Sequence, residues 1–298
     1  MHYGLAGEIS RAERGFYGET WYITGEKKYF VKVIANPEHA RVFAQSLKVL
    51  WYMLECGATQ IMQPLRTLQG EQVTTFAGDA LAVFAFAEGI HTEDYLLMRL
   101  FRPLCDIYKL PLPPFPVQRE DFAASSLTWL AALKLQLKYI PGGQDVLNCL
   151  MRQEQRLNHY ARRLMLFSQR CMGDQRGFFI THGDAGGNVI LQEDSITIVD
   201  WDHILIAPPE RDVWMFCVRQ SQLEDMQKAL EDARIGYTLR PQRLCYYAYY
   251  TYFYYLCELL RCFIQCDWAR DTMLGQVQAY FGDDNWVYRP LAVVEKMG

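Results

Sequence analysis

The chain has 298 residues, 51% of them apolar, and a formal net charge of −4. A sequence of this length and apolar content buries a large core, which excludes global disorder and a single small module and leaves one bilobal domain or two domains. The mildly acidic balance, with no run of Lys and Arg interleaved with aromatics, excludes the electrostatic footprint of a nucleic-acid-binding surface.

In chain order, the first 15 residues lack the apolar stretch of a secretory leader, so export is not expected. Glu13–Trp21, ERGFYGETW, reads as a loop in which Gly15 and Gly18 supply the freedom needed to cover a phosphate. WYITG at 21–25 and KKYFVKVIA at 27–35 read as a β-hairpin turning at Thr24–Glu26. Alternation along the second strand places Lys32 opposite Val31 and Val33, where its ammonium can project into a cleft. The simpler alternative is an exposed lysine on an edge strand. Pro37–Glu55 reads as a helix with proline at its start, Gly57 past its end and Val42, Phe43, Leu47, Leu50 and Leu54 on one side.

Residues 60–78 and 79–89 supply further strands, with turns at Gln69-Gly70 and Gly78-Asp79. After Gly89 the pattern becomes helical, with helices expected over 92–110, 119–140, 145–171, 210–233 and 242–266. PLPPFP at Pro111–Pro116 is a loop, because proline removes the donors a helix needs. Leu244 to Cys257, the longest apolar run, is short of the ~18 residues of a membrane span and rich in tyrosine, so it reads as a buried helix. Nine cysteines without paired spacing fit reduced thiols in a cytoplasmic protein rather than disulfides or structural zinc.

The segment from 178 to 202, FFITHGDAGGNVILQEDSITIVDWD, carries the densest chemistry. Phe178–Thr181 reads as a short buried strand, Asp184–Asn188 as a loop, and Val189–Leu191 with Ile196–Val199 as a hairpin turning at Gln192–Ser195. A hairpin of that length returns Asp200 beside Asp184 and Asn188. Two carboxylates and an amide oxygen on one rim suit a hard cation such as Mg²⁺. Asp202, two residues on, is expected to face the same side if the strand continues, within reach of metal, a water ligand or substrate. Each of these residues is also a turn former, and a plain turn is the alternative. Pro208 and Pro209 read as a helix start, with Arg211 and Asp212 as a structural ion pair.

The HGD, Asn and DWD residues, followed by HILIAPPERDVWMF, resemble the core of the aminoglycoside phosphotransferase and choline kinase family, relatives of the protein kinases, and most closely spectinomycin phosphotransferase-like proteins. The resemblance implies an α+β, protein-kinase-like bilobal fold, with a β-rich nucleotide-binding lobe over 1–88 and a helical lobe carrying the catalytic loop and acceptor site over 89–298. It implies Asp184 as catalytic base, His182 as support for the loop, and Asn188 with Asp200 as Mg²⁺ ligands. Lys32 would reach the nucleotide phosphates, Gly18 would lie in the covering loop, and the backbone at Phe86 and Ala87 would meet adenine.

Two departures stand out. Asp184 to Asn188 spans four positions where the family commonly has five, and a second histidine is missing. Gln45 or Ser46 stands where a helix glutamate would pair with Lys32, so the lysine's ionic partner is unassigned. The implied activity is transfer of the γ-phosphate of ATP or GTP to a hydroxyl of an aminoglycoside-like or other small alcohol, with Mg²⁺ and with neither nucleic acid nor membrane as partner. The competing class is a degenerate kinase fold that binds nucleotide without transfer. A third, a metal-dependent phosphohydrolase, would have no use for Lys32.

Overall fold

The computed structural model describes residues 2–12, 18–92, 95–193, 195–265 and 270–297. The expected phosphate-covering loop lies mostly outside the described residues, Gly15 included, while Gly18 lies within them. Two compact units are present. The first contains residues 1–120, 177–212 and 228–237, and the second contains residues 121–176, 213–227 and 238–298.

The first unit is built on a five-stranded antiparallel sheet in the order β1-β2-β3-β5-β4. Its strands are β1 (Glu8–Arg11), β2 (Glu19–Thr24), β3 (Lys28–Ile34), β4 (Thr74–Phe76) and β5 (Asp79–Ala85). β1 was not anticipated, because all four of its residues are exposed and give no alternation. β3 lies between β2 and β5, with Lys32 opposite Thr20 on one side and Ala82 on the other. The edge-strand alternative for this lysine is therefore excluded.

α1 (Pro37–Glu55) follows β3 with the boundaries expected. The Asn36 side chain accepts the N–H groups of Glu38 and His39, and Pro37, whose missing donor costs nothing there, opens the first turn. Phe43, Leu47, Leu50 and Met53 recur at helical spacing and are almost fully buried. Burial of each such side chain contributes about 1.5–3 kcal/mol.

The chain leaving α1 joins this sheet to the expected hairpin. Ile61 bridges Ile198 in parallel, Met62 donates to Ile198 O at 3.1 Å and Ile198 donates to Gln60 O at 2.9 Å. Two residues further, Ala85 donates to Gln63 O and Leu65 to Val83 O. One extended segment thus ties the lysine-bearing sheet to the hairpin through backbone hydrogen bonds, which tolerate little displacement.

The hairpin sheet has the order β6-β8-β9, from β6 (Ile90–His91), β8 (Val189–Leu191) and β9 (Ile196–Ile198). β7 (Phe179–Thr181) pairs with β10 (Leu205–Ala207) as a separate two-stranded ribbon. The helix expected over 92–110 runs as α2 (Leu97–Tyr108), and Ile90 and His91 ahead of it are taken into the hairpin sheet. From α2, Arg99 donates to the carbonyls of Gln192 and Ser195 and fixes the hairpin turn.

The second unit is helical. α3 (Ser125–Leu137), α4 (Gly143–Arg152) and α5 (Glu154–Cys171) replace the two long helices expected there, the second of which breaks at Gln153. The expected 210–233 helix is also interrupted. It runs as α6 (Glu210–Val213), a 3₁₀ turn over Trp214–Phe216, and α7 (Gln220–Asp232), because Cys217 leaves the helical region with ψ of 46°. α8 (Pro241–Gln265) contains the tyrosine-rich run, and Tyr246, Tyr247, Tyr249 and Tyr252 on it are buried. α9 (Arg270–Tyr280) and α10 (Tyr288–Met297) were not foreseen, and α9 buries only Val277 and Tyr280, too few apolar positions to announce a helix. Among the described residues no helix is long and apolar enough to cross a membrane. The described cysteines are free thiols, most of them buried.

Candidate active site

The site grows from the loop that follows β7. His182 is buried, with Nε2 2.8 Å from Val199 O and Nδ1 accepting the Asp184 N–H at 3.1 Å. Those bonds require a neutral ring protonated at Nε2. Burial, only partly offset by the Val199 carbonyl, lowers the His182 pKa to about 4, so the neutral form holds at physiological pH. The Trp201 ring stands edge-on to it at 4.5 Å.

His182 therefore ties the start of the loop to the end of the hairpin. Asp184 is left exposed. Asn188 Nδ2 donates to Asp184 O at 2.7 Å and to Asp184 Oδ2 at 3.3 Å. Val199 donates to Asn188 O at 2.9 Å, which brings the residue before Asp200 against Asn188. The shortened loop is held from outside, where Tyr95 donates to Gly186 O at 2.5 Å and His91 Nε2 lies 2.8 Å from Gly187 O.

Asp200 takes a φ of +63°, a left-handed conformation uncommon outside glycine. Its N–H donates to Met62 Sδ at 3.4 Å and its carboxylate accepts from Lys32 Nζ at 2.5 Å. Asp202 accepts from the same ammonium. The chain has turned at this point rather than continuing as a strand, so it is the turn that brings both carboxylates to one nitrogen. The Asp202 turn is braced from α1, where Ser46 Oγ donates to Asp202 O at 2.7 Å and accepts the Ile204 N–H at 3.0 Å.

Burial alone would lower Lys32, but Asp202 and Asp200 together carry it above the ordinary lysine value. Burial opposes ionisation of Asp200 too, and the Lys32 ammonium outweighs it, leaving Asp200 below the usual carboxylate range. For Asp202, burial and then the Asp200 charge prevail and lift it to about 7. One ammonium thus serves two carboxylates, and the more enclosed of them resists ionisation.

A second set of residues holds the loop from behind. Asp212 accepts the Gly183 N–H at 2.5 Å and the Tyr108 hydroxyl at 2.8 Å. Arg211 donates to Thr181 O, Thr181 Oγ1 and His203 O. The two were expected to pair with each other. Instead they hold different groups, the half-buried Arg211 taking the Thr181 and His203 carbonyls with the Thr181 hydroxyl, and the buried Asp212 taking the Gly183 N–H and the Tyr108 hydroxyl.

A model of the phosphotransferase enzyme family matches residues 8–244. The chain belongs to that family. No curated protein matches it at a significant level. Among solved structures, a spectinomycin phosphotransferase crystallised with ADP and spectinomycin is 17% identical, with a TM-score of 0.77 over 98% of this chain and 95% of the other. An aminoglycoside phosphotransferase from Alicyclobacillus acidocaldarius is 13% identical, with a TM-score of 0.59 over 99% and 93%. An amicoumacin kinase in complex with AMP-PNP, Ca²⁺ and Ami is 16% identical, with a TM-score of 0.58 over 99% and 90%. These likenesses carry the fold, and they bear out the protein-kinase-like α+β class expected from the sequence.

Within this phosphotransferase-family chain, Lys32 holds Asp200 and Asp202, His182 and Asn188 hold Asp184, and the backbone of Val199, bonded to His182 and Asn188, leads directly into Asp200. The Phe86 N–H donates to Lys28 O at 3.3 Å and its ring packs on Tyr22 and the Lys28 ammonium. Glu88 O accepts from Gln192, so Ala87 sits between two engaged peptides. Gly18, just before β2, packs against β3, where a Cβ would strike the Val33 carbonyl. Sequence reasoning missed Met62, Tyr95 and Tyr108, because none of the three belongs to a local pattern.

The donor chemistry suits a hard cation. The Asp200 side chain is 45% exposed and ionised, and Asn188, which commits its amide nitrogen to Asp184, keeps an oxygen for a ligand. Among the described residues no cluster of three or more His, Cys, Asp and Glu is placed to hold a metal. An ion on Asp200 and Asn188 would be completed by water and phosphate oxygens, as is usual for Mg²⁺.

The left-handed backbone of Gly183, at φ +90°, leads to one stability prediction. A Cβ there would land on the guanidinium of Arg211, itself tethered to Thr181 and His203. Gly183→Ala is expected to destabilise the fold by about 1–3 kcal/mol in urea denaturation. A midpoint equal to that of the wild type would show that the loop relaxes freely.

Proposed function

We propose that this chain is a small-molecule kinase that transfers the γ-phosphate of ATP or GTP, with Mg²⁺, to a hydroxyl of an aminoglycoside-like or other small alcohol. The observation that carries this reading is the convergence, in a chain of the phosphotransferase enzyme family, of the Lys32–Asp200 pair and the hydrogen-bonded Asn188 and Asp184, with Val199, next to Asp200, donating to Asn188 O. Asp184, exposed and anchored through its own backbone, is the group that orients the acceptor hydroxyl and takes its proton as the oxygen attacks phosphorus. The new O–P bond forms as the bond to the leaving nucleoside diphosphate breaks. His182 acts by position, since its neutral ring fixes the Asp184 peptide.

Lys32 is the cationic contact for the nucleotide phosphates, and Asp200 with Asn188 are the residues that would hold Mg²⁺. The ion, when bound, would neutralise charge on the phosphates. Gly18 belongs to the covering loop, and the peptide of Ala87, beside the engaged peptide of Phe86, is the position assigned to the adenine edge. The nucleotide-binding lobe is assigned to residues 1–88 and the acceptor-selecting part to 89–298. Solved neighbours bind spectinomycin and kanamycin, which supports antibiotic-like acceptors alongside metabolic alcohols. Unpaired, mostly buried thiols suit a cytoplasmic setting.

The test is a phosphate-transfer screen with Mg²⁺ and either ATP or GTP against spectinomycin, other aminoglycosides, choline and small sugar alcohols. Saturable transfer to one acceptor is the expected result. Nucleotide binding without transfer to any of them would favour the degenerate-fold reading.

A further inference from the structure

Lys32 has an ionic arrangement that its surroundings explain only in part. It is a buried ammonium, and a buried charge left without a partner is strongly destabilising. Its two partners differ. The Asp200 side chain is 45% exposed, whereas the Asp202 side chain is 11% exposed and thus the more enclosed of the two. The more exposed carboxylate is the one an incoming cation recruits. If Asp200 turns to a metal, only the deeper carboxylate continues to compensate Lys32.

α1 shows how the deeper carboxylate is kept in place. Ser46 is 1% exposed and spends its hydroxyl on both sides of the Asp202 turn, donating to the Asp202 carbonyl and accepting from the Ile204 N–H. A long acidic side chain at that position would occupy the space the turn uses. The helix thus contributes no charge to Lys32 and instead supports the backbone that does.

We infer that Asp202 is a positioning residue for the proposed reaction, holding Lys32 in its phosphate-binding pose while Asp200 serves the metal, with Ser46 as its brace. This rests on the kinase reading and assigns Asp202 no contact with the acceptor.

A double-mutant cycle on nucleotide affinity tests it, using displacement of a fluorescent ATP analogue with Mg²⁺ present. Asp202→Asn is expected to weaken binding at least tenfold in the wild-type background and less than twofold beside Lys32→Met, because its effect passes through the lysine. Ser46→Ala, which removes one hydroxyl and is the variant to use should Asp202→Asn fail to fold, is expected to show the same pattern at smaller amplitude. Equal losses with and without Lys32 would reduce Asp202 to a structural role and overturn the inference, as would an Asp202→Asn protein that binds normally. A wild type that binds neither ATP nor GTP would overturn the kinase reading itself, and the inference with it.

Discussion

Replacing Asp184 by Asn is expected to lower the rate of phosphate transfer by about 10²- to 10⁴-fold while nucleotide affinity stays within about threefold. The selectivity of the effect follows from where the residue sits. Asp184 is exposed, and the bonds that fix it run through its backbone: its N–H to His182 Nδ1 and its carbonyl to Asn188 Nδ2. Both survive the change of side chain. Asparagine keeps the shape and one acceptor oxygen for Asn188, so the loop keeps its form, but it cannot take up a proton. Loss confined to kcat is the signature of a group that acts on the acceptor in the transition state. Turnover within about tenfold of the wild type would remove Asp184 from the role of base.

The residues of the site were legible in the sequence to the extent that they lie in one local segment. His182, Asp184, Asn188 and Asp200 occupy 19 consecutive positions whose strand and turn chemistry is short-range, and the hairpin formed where alternation and turn residues put it. Lys32 was legible as an inward-facing strand residue, but its partner was not. The pairing with Asp202 joins positions 170 residues apart and depends on a left-handed turn at Asp200, a conformation aspartate tolerates but that no local pattern in this segment calls for.

For Asp202 it was the premise of a continuing strand that did not hold. Continuing the strand would have aligned 200 and 202 by alternation, and the turn achieves the same convergence by different geometry. Helix boundaries after residue 89 were the least legible. The helix read over 92–110 spans only Leu97–Tyr108, and where 145–171 and 210–233 were read as unbroken, the break at Gln153 and the backbone of Cys217 interrupt them. These are tertiary decisions, made after local periodicity has had its say.

Asp200→Asn is expected to abolish most of the gain in nucleotide affinity that Mg²⁺ confers, a loss of at least about tenfold, or roughly 1.4 kcal/mol, read by titrating nucleotide with and without the ion. Asparagine is the right replacement because it tolerates the left-handed backbone at φ +63°, where alanine would add strain to the loss of charge. The N–H bond to Met62 Sδ and the tie between Met62 and Ile198 are backbone features that remain. Lys32 also keeps its deeper partner Asp202, so metal-free nucleotide binding is expected to change little. That contrast separates the two carboxylates: removing the charge at 200 should act through the metal, and removing it at 202 through the lysine. If the response to Mg²⁺ in Asp200→Asn matched that of the wild type, the cation would be held elsewhere, and Asp200 would be left as a second anchor for Lys32.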